Sequence, residues 1–188
     1  MVATGEKLMT AAELAAMPDD GMRHELVKGV LTTMAPSSEE HAIVAGRVTK
    51  QIARHEALDA LGEILTADGG FRLATDPDTV RAPDLSFVRH DKVRPPGQRK
   101  GFARVAPDFV LEVLSPSNSA GEVNAKISDY LAAGTSLIWV VDPETRTVTA
   151  YRQGGEAQFL GVDDEIDGGD VLPGFRCRIS EFFADSRS

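Results

Sequence analysis

Apolar and polar positions alternate along this chain in two distinct periods, and the switches between them mark its elements. Thr10 precedes AAELAAM with Glu13 three residues on, a capping box that predicts a short helix, stopped by PDDG, as a small N-terminal lid. HELVKGVLTTM carries strand-type residues on both sides of Lys28-Gly29, which predicts a hairpin. Ser37 or Ser38 then offers an N-cap for a long helix through EEHAIVAGRVTKQIARHEALDAL, where Ile43, Val44, Val48, Ile52 and Ala53 recur at helical spacing. Three strands are expected next, EILTAD, GGFRLAT and PDLSFV, with DPD as a turn before the third.

The stretch from Arg89 to Gly101 is basic, proline-containing and poor in apolar residues, and it reads as an exposed loop. DFVLEVL follows as a near-continuous apolar run, the pattern of a central strand covered on both faces. Beyond the turn residues SPSNSAGE, a helix from Glu122 to Ala133 shows an apolar stripe of Val123, Ile127, Tyr130 and Leu131, with Gly134 placed as its C-cap. SLIWVVDP is a second buried strand. TVTAYRQ, EAQFLG and the tail from Asp170 to Phe183 predict short antiparallel strands and a last turn of helix. The core order is helix, three strands, helix, strand, an α/β architecture with an N-terminal hairpin and short C-terminal antiparallel strands, and no internal repeat.

A length of 188 residues with 42% apolar content is the size of one domain with a single core, expected to span 1–188. The net charge of -9 excludes strong non-specific attachment to a nucleic-acid backbone or an anionic membrane, so nucleic-acid contact must be local. Cys177 is the sole cysteine, which excludes an internal disulfide framework or a cysteine zinc cluster. The first twenty-odd residues lack the basic start and apolar stretch of a signal peptide, and no run approaches the roughly 20 apolar residues of a membrane span. A cytoplasmic location is expected.

Two carboxylates stand inside apolar strand segments: Asp84 in RAPDLSFV and Glu112 in APDFVLEVLSPS. A buried charge is costly unless a cation or hydrogen bonds compensate it. Magnesium or manganese favours oxygen ligands and keeps several waters, so Asp84, Glu112 and a backbone carbonyl, that of Val113, make a sufficient ligand set for phosphodiester hydrolysis. Strand alternation puts Val110, Glu112 and Leu114 on one face, Leu111 and Val113 on the other. Lys126, in the following helix, has a stem long enough to bring its ammonium over the strand ends. Each residue also has a structural reading. Asp84 could bond backbone amides, Glu112 could form an ion pair with Lys126, and Glu25 and His41 could be surface groups. Tyr130 and Trp139 read as packing residues, and the Arg89 to Lys100 loop either contacts phosphates or is merely solvated.

PDLSFV, FVLEVLSPSN, Lys126 with Tyr130 and Gly134, and IWVVDP, in that order, resemble the Uma-two family of restriction-endonuclease-like proteins, a branch of the PD-(D/E)XK nuclease superfamily. HELVKGVL and SSEEHAIV are similar to that family's first hairpin and helix start, and the resemblance runs from Thr10 to Phe183. It implies a metal-dependent endonuclease acting on nucleic acid, with DNA expected ahead of RNA, and by position it assigns Asp84, Glu112, Lys126 and Glu25 to the catalytic site. Leu114 stands where the parent superfamily carries its lysine, and Lys126 takes that role from the helix. A homodimer would suit cleavage of two strands. Two alternatives come from other classes: a nuclease-fold module that binds or regulates without turnover, and a two-carboxylate glycosidase, which an aromatic content of 6% disfavours for want of a stacking cleft.

Overall fold

Residues 8–34 and 36–184 are described by the structure, a computed structural model. Thr10 caps α1 (Ala11–Ala15) with the capping box closed by Glu13. The expected hairpin is β1 (Arg23–Val27) and β2 (Val30–Met34), turning on Lys28 and Gly29, both at positive φ. Ser38, rather than Ser37, caps α2 (Glu39–Ala53), its hydroxyl accepting from the His41 amide.

The long helix ends sooner than its sequence pattern predicts. After α2 the chain makes tight turns through Arg54 and His55 and re-enters a helix only at α3 (Leu58–Leu61). Ile52 and Leu58, both buried, are six residues and so about 120° apart on a straight helix, which takes Leu58 off the stripe that Ile52 ends. The buried stripe of α2 is His41, Val44, Val48 and Ile52; Ile43 and Ala53 face solvent.

Four strands, not three, occupy the next segment: β3 (Gly62–Thr66), β4 (Phe71–Ala74), β5 (Thr79–Arg81) and β6 (Leu85–Arg89). They divide between two sheets. β4 and β5 leave the main sheet to complete a four-stranded antiparallel sheet, β2-β1-β5-β4. β3 and β6 join β7 (Phe109–Val113), β8 (Leu137–Asp142), β9 (Thr147–Arg152) and β10 (Ala157–Leu160) in a six-stranded sheet ordered β10-β9-β8-β7-β6-β3. The three strands of the expected core are therefore β3, β6 and β7, followed by α4 (Ala120–Ala133) and β8. A three-residue β5 is too short to show alternation.

β7 and β8 are parallel and joined by α4, and their cover on both faces explains the unbroken apolar runs. α4 opens on a Ser119/Glu122 capping box and ends at Gly134 in the left-handed conformation. It packs Ile127 and Tyr130 on Val110, Ile138 and Val140. The opposite face is covered by α2 and by the C-terminal segment, which includes β11 (Glu165–Asp167), β12 (Arg176–Arg178) and α5 (Ser180–Phe183). Trp139 lies within that layer against Phe109, Phe175 and Phe182, a packing residue as expected. Among the described residues no helix is long and apolar enough to cross a membrane.

Candidate active site

Strand register brings the two acids together. β6 and β7 pair with Leu85 opposite Leu111, so Asp84, just before β6, falls beside Glu112 on the face that α4 covers. The Asp84 amide donates to the Leu111 carbonyl at 3.1 Å, fixing the start of that register.

Asp84 is held from three directions. Its Oδ2 accepts the Val113 amide at 2.8 Å and His41 Nε2 at 3.1 Å, and its Oδ1 accepts Arg23 Nη1 at 3.0 Å. An ionised carboxylate only accepts, so the His41 proton is on Nε2. His41 reaches this position as the third residue of α2, its amide on the Ser38 cap and its ring at the head of the buried stripe. Glu112 is held by α4. Lys126 Nζ donates to Oε2 and the Tyr130 hydroxyl to Oε1, each at 2.8 Å. Four residues apart, Lys126 and Tyr130 share one helix face.

Glu25 completes the cluster from β1. Its Oε1 lies 3.7 Å from Lys126 Nζ and accepts the Ala82 amide at 3.0 Å, while Oε2 accepts Arg81 Nη1 at 2.7 Å. Arg81 also donates to Asp129 Oδ2 through Nε and Nη2, at 2.9 and 2.6 Å. Arg81 thereby ties the small sheet to α4, and Glu25 serves as a fixed counter-charge to Lys126.

The two central acids feel opposite environments. Burial pushes Asp84 up, but the His41 hydrogen bond and charge, the Val113 amide and the Arg23 charge together hold it below the ordinary aspartate value. Glu112 is raised, first by burial and further by the charges of Asp84 and Glu25, although Lys126 pulls it down. Burial alone would lower Lys126; Glu112 and Glu25 outweigh it and raise it, so the ammonium stays charged. Tyr130 lies well above its usual value, through burial and then the Glu112 charge, and remains a donor.

Among the described residues no three His, Cys, Asp or Glu side chains form a metal-holding group. A two-acid set is what these residues offer, and it suits a hard cation in kind. A carboxylate has about four lone-pair sites. Asp84 uses three and keeps one on Oδ1; Glu112 uses two and keeps one on each oxygen. The Lys126 ammonium and the Arg23 guanidinium already stand at these carboxylates as cationic partners. By their free lone pairs the two carboxylates still fit, in kind, a divalent ion completed by water, although each acid already has one cation beside it.

All four side chains assigned by resemblance, Asp84, Glu112, Lys126 and Glu25, meet here. Val113 adds its amide, and Leu114 packs beside the α4-side cluster. His41 and Tyr130, each with a bland alternative in the sequence, both bond a central acid. Arg23, Arg81 and Asp129 are not singled out by the sequence pattern, although Arg23 and Glu25 are two apart on β1 and must share a face. The basic loop lies away from the acids: Lys92 pairs with Asp108 at 2.7 Å, and Arg94 and Arg99 fold back onto loop carbonyls.

No curated protein matches this chain. Among solved structures, a crystal structure from Anabaena variabilis, described as a "putative nuclease belonging to DUF820", has a TM-score of 0.79 at 20% identity, covering 93% of this chain and 97% of that one. At that identity the likeness establishes a shared fold, with the restriction-endonuclease-like order of helix, three strands, helix and strand. Residues 11–180 match the Uma2 family, described as "putative restriction endonuclease". With the match spanning α1 to the start of α5 and taking in every residue of the acid cluster, this chain belongs to the Uma2 family of restriction-endonuclease-like proteins.

Proposed function

We propose that this protein is a metal-dependent endonuclease that hydrolyses phosphodiester bonds in nucleic acid, DNA rather than RNA. One observation carries the proposal: Asp84 and Glu112 meet across β6 and β7, and the Lys126 ammonium, arriving from α4, lies on Glu112 at 2.8 Å. The lysine absent at Leu114 is thus supplied from another element at the same acid.

Asp84, Glu112 and the Val113 carbonyl would hold magnesium or manganese. When bound, such an ion supplies Lewis acidity toward the phosphate and acidifies water. This chain's own residues do the rest. His41 and the Val113 amide fix Asp84 through Oδ2, leaving Oδ1, which accepts from Arg23, with one free lone pair. Tyr130 fixes Glu112 through Oε1. Lys126, kept charged by Glu112 and Glu25, donates to a phosphate oxygen as negative charge develops there. Arg23, with 26% side-chain exposure, adds a second positive charge beside the same phosphate. A homodimer would bring two such sites to two strands, and a buried, free Cys177 is at home in the reducing cytoplasm.

A second reading, a nuclease-fold module that binds without turnover, is favoured by the charge pairing itself, since Lys126 and Arg23 already neutralise both acids. Calorimetric titration of Mn into the wild type, Asp84→Ala and Glu112→Ala, each checked for folding by circular dichroism, separates the two. Saturable binding lost in both folded variants supports the metal site and justifies a substrate screen. Absent or equal binding by all three makes the carboxylates structural and favours the second reading.

A further inference from the structure

A cavity of about 640 Å³ lies apart from the acid cluster, between the segment from α1 to β1 and the loop that follows β6. Val88 and Leu65 from the main sheet line it, as do Ala15, Met17 and Met22 from the N-terminal segment and Phe102 from the loop. That volume suits a nucleoside-sized guest. Its wall is built in advance. Ala103 is pinned to β4 by hydrogen bonds to Gly70 and Arg72, at 2.9 and 2.8 Å. Phe102 lies so close to Gly70 that a Cβ there would come within 2.5 Å of the ring, which is why the position is glycine.

The charges at this cavity are unlike those elsewhere in the chain. Between Arg89 and Arg104 there are six Lys and Arg against the single Asp91, in a protein of net charge -9. Arg94 and Arg99 hydrogen-bond loop carbonyls and Arg104 is exposed, so among the described residues none of the three has a carboxylate partner. All three line the cavity, as do Asp19, Asp20 and Asp68, of which Asp20 is taken up by His24. An apolar, partly aromatic pocket edged by arginines that have no direct carboxylate partner is complementary to a flat base attached to phosphate.

Resting on the nucleic-acid reading above, we infer that this cavity receives one unstacked nucleobase of a single strand whose phosphates lie on Arg99 and Arg104. Val88 is four residues beyond Asp84 on the same face of the sheet, about 13 Å along the strand. The cavity is an anchoring exosite, and it confers preference for single-stranded or locally opened substrate.

The test is anisotropy titration of the full-length protein, in EDTA, with a labelled single-stranded oligonucleotide, the matching duplex and a fluorescent nucleoside monophosphate. Ala15→Trp fills the cavity from an exposed helix position, and Arg99→Ala/Arg104→Ala removes the two anchors; both are checked by circular dichroism. The expected result is tighter binding of the single strand than of the duplex, weakened about 10- to 100-fold by Ala15→Trp, as loss of a stacked base would do. In the double variant the slope of log affinity against log salt falls by about 1.4, or 0.7 per phosphate contact. Equal binding of duplex and single strand, indifference to Ala15→Trp, or capture of the free nucleotide without the strand each overturns the inference. In a parallel reaction with Mn in place of EDTA, cleavage of nucleic acid indifferent to Ala15→Trp would sink the exosite alone, whereas cavity-dependent strand binding with no cleavage in that reaction would sink the nuclease reading alone.

Discussion

Lys126→Met removes the ammonium while keeping most of the stem, and its cost can be worked out from the charges left behind. Glu25 retains Arg81, but Glu112, with 9% side-chain exposure, keeps only the Tyr130 hydroxyl. Breaking one partner from a buried pair costs about 3 to 5 kcal/mol. The protein has an escape, because Glu112 can take a proton. Its folded pKa already lies above the ordinary glutamate value of 4.5, and losing Lys126 raises it further. At pH 7, protonating a carboxyl of unfolded pKa 4.5 costs about 3.4 kcal/mol, from 2.5 pH units at about 1.36 each. That sets a ceiling of about 3.4 kcal/mol at pH 7 and about 1.4 at pH 5.5. The sign follows from a raised acid: its contribution is favourable below the unfolded value and is lost as pH rises through the folded one. The expected outcome of urea denaturation in EDTA is therefore a loss of about 3 kcal/mol at pH 7 that shrinks on acidification, with a melting point lower by about 6 to 12 °C. Adding Glu112→Gln to Lys126→Met should recover much of the loss. A deficit below about 1 kcal/mol at pH 7, or one that does not change with pH, would refute the view that Lys126 compensates a buried Glu112 charge.

Three further outcomes follow from the same geometry. Because Asp84 is lowered below 3.8, its stabilisation is present above that pH and is lost as pH falls through the folded value. The stability gap between wild type and Asp84→Asn, read from acid-unfolding curves, should be full at neutral pH and close below pH 3.8. Mn affinity measured by calorimetry should strengthen as pH rises, because a proton competes for the raised Glu112, and a flat profile would exclude Glu112 as a ligand. Arg81→Met should cost about 3 to 5 kcal/mol in urea denaturation, since it strips Glu25 and Asp129 of their shared guanidinium; a loss under about 1 kcal/mol would show that Arg81 does not tie the small sheet to α4.

What the sequence discloses and what it hides have different physical origins. Glu112 and Asp84 are legible because a carboxylate inside an apolar strand violates a one-dimensional pattern, and the strand period alone then decides which face it takes. Lys126 is legible only through them, as a helix lysine next to an apolar stripe. β4 is misplaced for the opposite reason: its residues satisfy the strand pattern well enough, but nothing local says which of two sheets a short strand joins. β5, three residues long, shows no pattern and is missed, and its place is decided by Leu26 meeting Val80 across 54 residues. Arg81 and Asp129 are hidden by the same distance. An arginine in a three-residue strand and an aspartate in a polar stretch of helix are each unremarkable, and only when β5 crosses to pair with β1 does the guanidinium arrive between two carboxylates. His41 lies between these cases. Its place in the buried stripe of α2 could be read from Val44, Val48 and Ile52, and a polar residue at the head of such a stripe requires a partner. That partner is Asp84, 43 residues away, so the stripe predicts that His41 is bound without saying by what. Replacing His41 with leucine turns this into a measurable difference: a core histidine would tolerate the change, whereas an orienting one would keep the fold and lose Mn affinity, since Asp84 Oδ2 would retain only the Val113 amide.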